Sequence, residues 1–147
     1  MARAPNKLLR RCNLSEWALG AGIVALVVAL AWLLARTPSQ EIDARPNPVP
    51  PSTRSLEAGE RIYRAQCQVC HGVDGHGNGP ASAGQFPRPT DFVAHFASGH
   101  VHPDGRLFFW ISEGIGGTAM PAFKDRLSET ERWDVVNFLK AFTPTER

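Results

Sequence analysis

Sulfur is scarce in this chain: three cysteines and two methionines in 147 residues. That excludes a small fold stapled by many disulfides. Charge imbalance is slight as well, sixteen basic against fourteen acidic residues, a formal net charge of +2. So small an excess cannot line a phosphate-tracking stripe, and nucleic acid is not an expected partner. No stretch shows a convincing strand alternation, which points away from β folds. What is present is a globular balance, 43% hydrophobic and 20% charged residues, which excludes a wholly disordered chain.

The distribution is uneven. All eight Phe lie between Phe86 and Phe142, and all five His between His71 and His102. Residues 1–16 form a basic N-terminal segment with Arg3, Lys7, Arg10 and Arg11. From Trp17 to Ala35 no side chain is charged or strongly polar. At about 1.5 Å per residue this run approaches the ~30 Å hydrocarbon core, so 17–35 reads as a transmembrane anchor in the lipid bilayer. The positive-inside rule places residues 1–16 in the cytoplasm and exports the rest. The expected location is a bacterial inner membrane, single-pass, with the soluble part in the periplasm. A cleaved signal peptide competes, since Ala29-Leu30-Ala31 has the small-x-small form. Apolar residues continuing through Trp32-Leu33-Leu34-Ala35, where a polar cleavage region belongs, favour the retained anchor.

Residues 36–54 contain Pro38, Pro46, Pro48, Pro50 and Pro51 and no aromatic, the composition of a semi-rigid linker. Residues 55–144 read as one all-α domain of three or more helices and long loops, with 145–147 a short tail. Ser55 is a plausible N-cap for a first helix carrying Leu56, Ile62 and Tyr63. Phe86–Pro103 is expected to be mostly loop. Asp104 is a candidate cap for a helix with Leu107, Phe108 and Ile111, halted at Gly114. Ser128-Glu129-Thr130-Glu131 is a capping box ahead of Val135, Val136, Phe138, Leu139 and Phe142.

Chemistry concentrates at Cys67-Gln68-Val69-Cys70-His71, the attachment signature of c-type haem. At 100° per residue, positions 67, 70 and 71 share one face of a helical turn. Two thiols can then reach two vinyl groups along one haem edge while the imidazole points at the iron. Three other readings compete. Zinc wants four ligands; no second Cys pair exists, though His76 or His95 could contribute. A thioredoxin-like dithiol belongs after a strand in an αβ pattern, which is missing. A disulfide over so short a loop is uncommon.

A sixth iron ligand follows by elimination. Met1 precedes the apolar run, which leaves Met120 in Gly116-Gly117-Thr118-Ala119-Met120-Pro121. Pro121 biases Met120 toward an extended conformation that can hold a thioether outward. The alternative is a second histidine from His76, His95, His100 or His102. The cluster His95, His100 and His102 is open to three readings: exposed loop histidines, a haem propionate contact, or a copper or zinc site.

Residues 55–143 resemble a class I cytochrome c. The resemblance rests on Cys67-x-x-Cys70-His71-Gly72, the Gly75-x-Gly77-x-Gly79-Pro80 loop, the Met120-Pro121 loop and the final helix. It implies a small helical fold around one covalent haem c, with His71 and Met120 as axial ligands. It also implies closely crossing terminal helices, for which Gly59, Tyr63 and Phe138 are the matching residues. Pro80 is the candidate to offer its carbonyl to His71, and Trp110 a candidate neighbour of the haem edge or a propionate. The expected activity is one-electron transfer rather than catalysis. Expected partners are membrane redox complexes: a quinol oxidoreductase as donor, a terminal oxidase or reductase as acceptor. A fixed haem relay subunit of a larger oxidoreductase is the alternative, and a haem peroxidase or sensor a more distant one.

Overall fold

Side-chain caps at Ser52, Asp91 and Ser128 start three of the described helices. The computed structural model describes the backbone of residues 14–34 and 37–143, and the side chains of 20–34 and 37–143. The chain divides into two units, 1–38 and 39–147.

The first unit holds α1 (Leu14–Leu34). Its described side chains, 20–34, are all exposed, Ile23, Leu26, Leu30 and Leu34 among them. Among the described residues no helix is long and apolar enough to cross a membrane. The anchor expected over 17–35 lies partly outside the described residues, as do the segment 1–13, with Cys12, and the tail 145–147.

The second unit begins well before residue 55. The linker expected over 36–54 opens with α2 (Pro38–Asp43) and continues as a strap on the domain. Arg106 donates from Nε to Asp43 Oδ1 (2.7 Å) and from Nη2 to the Ser39 carbonyl (3.0 Å). Arg45 pairs with Glu129 (2.6 Å) and lies over the Phe108 ring (4.5 Å). Asn47 and Asn137 exchange a hydrogen bond of 2.9 Å, and Asn137 donates to the Val49 carbonyl (3.0 Å). Proline content suggested an extended tether. Tertiary partners for the polar residues between the prolines bind this stretch to the domain instead.

Helix α3 (Thr53–Ile62) starts at Ser52, whose hydroxyl accepts from the Ser55 amide. Ser55, expected as the cap, is buried and donates to Asp134 Oδ1 (2.5 Å). One π-type turn, Tyr63–Cys67, joins α3 to α4 (Gln68–His71). The stretch expected to be mostly loop contains α5 (Phe92–Ala97), capped by the Asp91 side chain accepting from the Ala94 amide. Helix α6 (Asp104–Glu113) has Asp104 in its first turn and Pro103 at the cap position, and it stops at Gly114 with φ +73°. Helix α7 (Glu129–Leu139) carries the full capping box between Ser128 and Glu131 and runs into a 3₁₀ turn, Lys140–Phe142. All elements among the described residues are helical.

The core gathers Tyr63, Leu107, Phe108, Ile111, Phe123, Trp133, Val135, Val136 and Leu139. Its tightest point is the crossing of α3 and α7. A Cβ on Gly59 would stand 2.1 Å from the Asp134 carbonyl oxygen and 2.8 Å from Phe138 Cβ. Beside it the Tyr63 ring packs on Phe138 (5.3 Å) and Phe142 (5.4 Å). Gly59, Tyr63 and Phe138 therefore meet as the resemblance implied. Gly59→Val is expected to force the helices apart and cost at least the ~1–3 kcal/mol typical of overpacking. Denaturant unfolding of the holoprotein measures it; an unchanged midpoint would contradict the crossing.

Candidate functional site

Two thiols and an imidazole reach this site because α4 continues α3. The π turn Tyr63–Cys67 carries the chain directly into Gln68–His71, so the crossing at Gly59 also places Cys67, Cys70 and His71. Such single π turns recur at functional sites. The short helix α4 leaves carbonyls without intrahelical donors. The glycine loop supplies them: Gly72 N–H donates to Gln68 O (2.8 Å), Gly77 to His71 O (2.8 Å), Gly79 to Cys70 O (3.1 Å) and Ala81 to Val69 O (2.8 Å). The loop must press close to do this, since a Cβ on Gly79 would lie 2.4 Å from the Val69 carbonyl. Tyr63 adds a bond from its hydroxyl to Gly72 O (2.8 Å). Burial, with Cys67 and Asp74 adding to it, pushes that phenol's pKa well above its ordinary value, so Tyr63 stays a neutral donor.

His71 is half-buried and fixed on two sides. Its ring stacks on Phe92 at 4.6 Å and 18°. Its Nδ1 stands 3.3 Å from the Thr90 carbonyl, which can only accept, so Nδ1 bears the hydrogen. Burial pushes the imidazole below its ordinary pKa, opposed in part by that bond. A neutral ring with hydrogen on Nδ1 leaves Nε2 with a free lone pair, the form that ligates a metal. Pro80, expected to supply the carbonyl, is exposed on the loop folded over α4. Thr90 supplies it because the chain doubles back: a Cβ on Gly77 would lie 2.3 Å from the Pro89 carbonyl oxygen.

Cys67 and Cys70 are half-buried free thiols. Burial, then the proximity of Cys70, pushes the Cys67 thiol up to about 12. A reactive redox dithiol needs a lowered thiol pKa, so this environment disfavours the thioredoxin-like reading. Among the described residues no group of three or more His, Cys, Asp or Glu is placed to hold a metal ion.

Met120 sits on a pinned loop beyond α6. Its amide donates to Thr118 Oγ1 (3.1 Å), whose hydroxyl donates to Ile115 O (2.7 Å). The Ile115 amide donates to Met120 O (3.3 Å). Gly114 lets this loop fold tightly, for a Cβ there would meet the Met120 carbonyl at 2.7 Å. Met120 and His71 then line one cleft, part of it open to solvent. Phe96, Leu107, Ile111 and Leu139 supply apolar walls, and Trp110 lies on the wall as well. The Trp110 ring meets His102 edge-on at 4.7 Å. A largely apolar slot presenting one nitrogen and one sulfur donor suits a flat, mostly apolar macrocycle with an iron centre.

Sequence reading had not singled out Thr90, Phe92 or the contact between His95 and His102. Only the Asp91 cap followed by Phe92 and Phe96 at i, i+4 spacing could have flagged the second of these. Gly77→Ala is expected to push the loop at Pro89 outward and lengthen the bond to His71. In NMR of the reduced holoprotein the His71 Nδ1 proton should exchange faster with water; unchanged exchange would contradict the coupling.

The family model described as Cytochrome c matches residues 56–143. The chain is 35% identical over 86 residues to the cytochrome c subunit of a quinone alcohol dehydrogenase from Gluconobacter oxydans (strain 621H). That match covers 56% of this chain and 18% of that protein. A solved structure of the Kuenenia stuttgartiensis reducing HAO-like protein complex superposes with a TM-score of 0.58 at 30% identity. It covers 66% of this chain and 47% of that one. This chain thus spans under a fifth of the curated relative and under half of the solved one. With the family model covering more than half its length, the chain belongs to the cytochrome c family, a domain for electron transfer carrying one covalent haem c.

Proposed function

We propose that this chain is a membrane-tethered one-electron carrier. In this reading Cys67 and Cys70 form the thioethers, and His71 and Met120 are the axial ligands. The observation that carries it is the placement of His71 and Met120 on the wall of one cleft, next to the Cys67-x-x-Cys70-His71 turn. Bound there, haem c supplies a one-electron couple at a fixed position.

The chain's own residues decide how that couple behaves. Thr90 and Phe92 fix the tautomer and the plane of His71, so little rearrangement accompanies electron transfer. Ligation by a thioether rather than a second imidazole raises the potential. The apolar walls at Phe96, Leu107, Ile111 and Leu139 lower the polarity round the site and act in the same direction. Residues 54–147 carry ten basic and eleven acidic side chains, so long-range steering is weak and docking relies on short-range apolar contact.

The tether is the apolar run 17–35, which α1 follows as far as Leu34, with the haem domain on the periplasmic side of an inner membrane. Apolar side chains exposed throughout 20–34, the part of α1 whose side chains are described, support lipid as its surroundings. Donors and acceptors are then membrane complexes, a quinol oxidoreductase on one side and a terminal oxidase or reductase on the other. A second reading, a fixed relay inside one oxidoreductase complex, is favoured by the relatives, one a subunit of a quinone alcohol dehydrogenase and one part of a protein complex. Purification in mild detergent separates the two: a fixed stoichiometry with other subunits means relay.

Met120→Ala is expected to leave haem attached, lower the potential and let the reduced protein bind carbon monoxide within the mixing time. Survival of the near-infrared sulfur-to-iron band in the variant would overturn the axial assignment. Cys67→Ala or Cys70→Ala should leave one thioether, read from the mass and the reduced visible band. For the tether, membranes washed with high salt should retain the full chain, and detergent should release it; release by salt alone would contradict the anchor.

A further inference from the structure

We propose that the His95–His102 pair is a redox-linked proton site, taking up one proton when the haem gains one electron and releasing it on oxidation. This rests on the haem reading above. The electron comes from the redox partner, a one-electron donor, and the proton from water; no other bond is made or broken.

His95 Nε2 and His102 Nε2 stand 3.0 Å apart with their rings stacked at 20°. Two imidazoles in that contact share one hydrogen: one nitrogen donates and the other accepts. The donor ring's Nδ1 is then bare and can take a proton. Doing so turns the contact into an imidazolium donating to an imidazole, a charge-assisted bond stronger than the neutral one. A second proton would set two N–H groups against each other across the same gap. The pair is thus built to carry zero or one added charge.

Both rings line the cleft that holds His71 and Met120. Charges across an apolar cleft interact far more strongly than through water. A proton on the pair therefore favours the haem state with one positive charge fewer, the reduced one. Protonation raises the potential, and deprotonation lowers it.

The charged surroundings keep the pair from holding its proton permanently. His102 faces Asp43 from α2, and His95, His100 and Arg106 from α5, the following loop and α6; burial first, then His95, His100 and Arg106, hold His102 below its ordinary pKa, with Asp43 opposing. Asp43 is engaged by Arg106 (2.7 Å), which reduces its pull. His100 stacks on His95 at 5.2 Å, and its Nδ1 is 2.8 Å from Ser98 Oγ. The Ser98 hydroxyl donates to His95 O (2.7 Å), so His100 Nδ1 must be the donor to it. Arg106 also lies 6.0 Å from the Trp110 ring, against which His102 packs, so the strap, the pair and the cleft wall form one contact chain.

The test is the midpoint potential of the full-length holoprotein against pH, in detergent and with a chelator to keep divalent metals off the imidazoles. Between about pH 5 and pH 8, where histidines titrate, and mainly toward the acid end because His102 is held below its ordinary pKa, the equilibrium constant for reduction should fall with rising pH. Its steepest fall is at most tenfold per pH unit, about 59 mV for a one-electron couple. The double substitution His95→Gln and His102→Gln should flatten the curve, and His76→Gln, in a separate contact with the Asp91 carboxylate, should leave it unchanged. A slope that persists in the double variant overturns the proposal, as does a flat curve in the parent. Should the double variant fail to fold, proton uptake by the parent on rapid reduction, followed with a pH indicator, decides: no uptake anywhere in that range overturns it. A preparation without covalent haem would instead sink the haem reading, and the visible spectrum reports that separately.

Discussion

Close contact between α3 and α7 at Gly59 governs the rest of this structure. Without a side chain there, the α3 backbone lies against the Asp134 carbonyl, and the two helices cross at a distance that no other residue would permit. Helix α4 follows α3 through a single π turn, so the crossing fixes where Cys67, Cys70 and His71 stand. Helix α7 delivers Leu139 to the cleft, and the following turn places Phe142 against Tyr63 and Phe92. One small residue thus couples the two ends of the domain to the walls of the site.

The site is assembled by backbone groups as much as by side chains. The glycine loop covers the carbonyls of α4 with its own amides. Thr90 acts through its carbonyl, and the Met120 loop is tied through Thr118 and Ile115. Each device fixes a donor atom without placing a further polar side chain in the cleft, which keeps the walls apolar around any iron held there. Besides His71, histidines enter only at His95 and His102, paired with each other. Low polarity stabilises the less charged state of a redox centre, and a single protonatable pair gives that bias a pH dependence.

Local signals were legible in the sequence wherever the physics is local. The capping box at Ser128 and Glu131 and the stop at Gly114 act within one helical turn, and both stand where the pattern put them. Cys67-x-x-Cys70-His71 carries its chemistry in its spacing. Features that depend on distant partners were not legible. Ser55 and Ser52 are equally good caps by residue type; Asp134, 79 positions away from Ser55, decides between them by engaging its hydroxyl. The stretch 39–49 has a linker's composition, yet Arg106, Glu129 and Asn137 bind it to the domain. Helix α5 is six residues long, too short for periodicity to declare itself. The carbonyl at His71 belongs to Thr90 rather than Pro80 because of how a loop doubles back, which no spacing rule encodes.

The central claim is that one imidazole and one thioether hold the iron from opposite sides. Iron X-ray absorption on the oxidised, full-length protein reads that ligand set without any substitution. The expected result is one sulfur and five nitrogen neighbours, the sulfur from Met120. Six nitrogens, meaning a second histidine, or five nitrogens with a vacant or water-filled position, would contradict it.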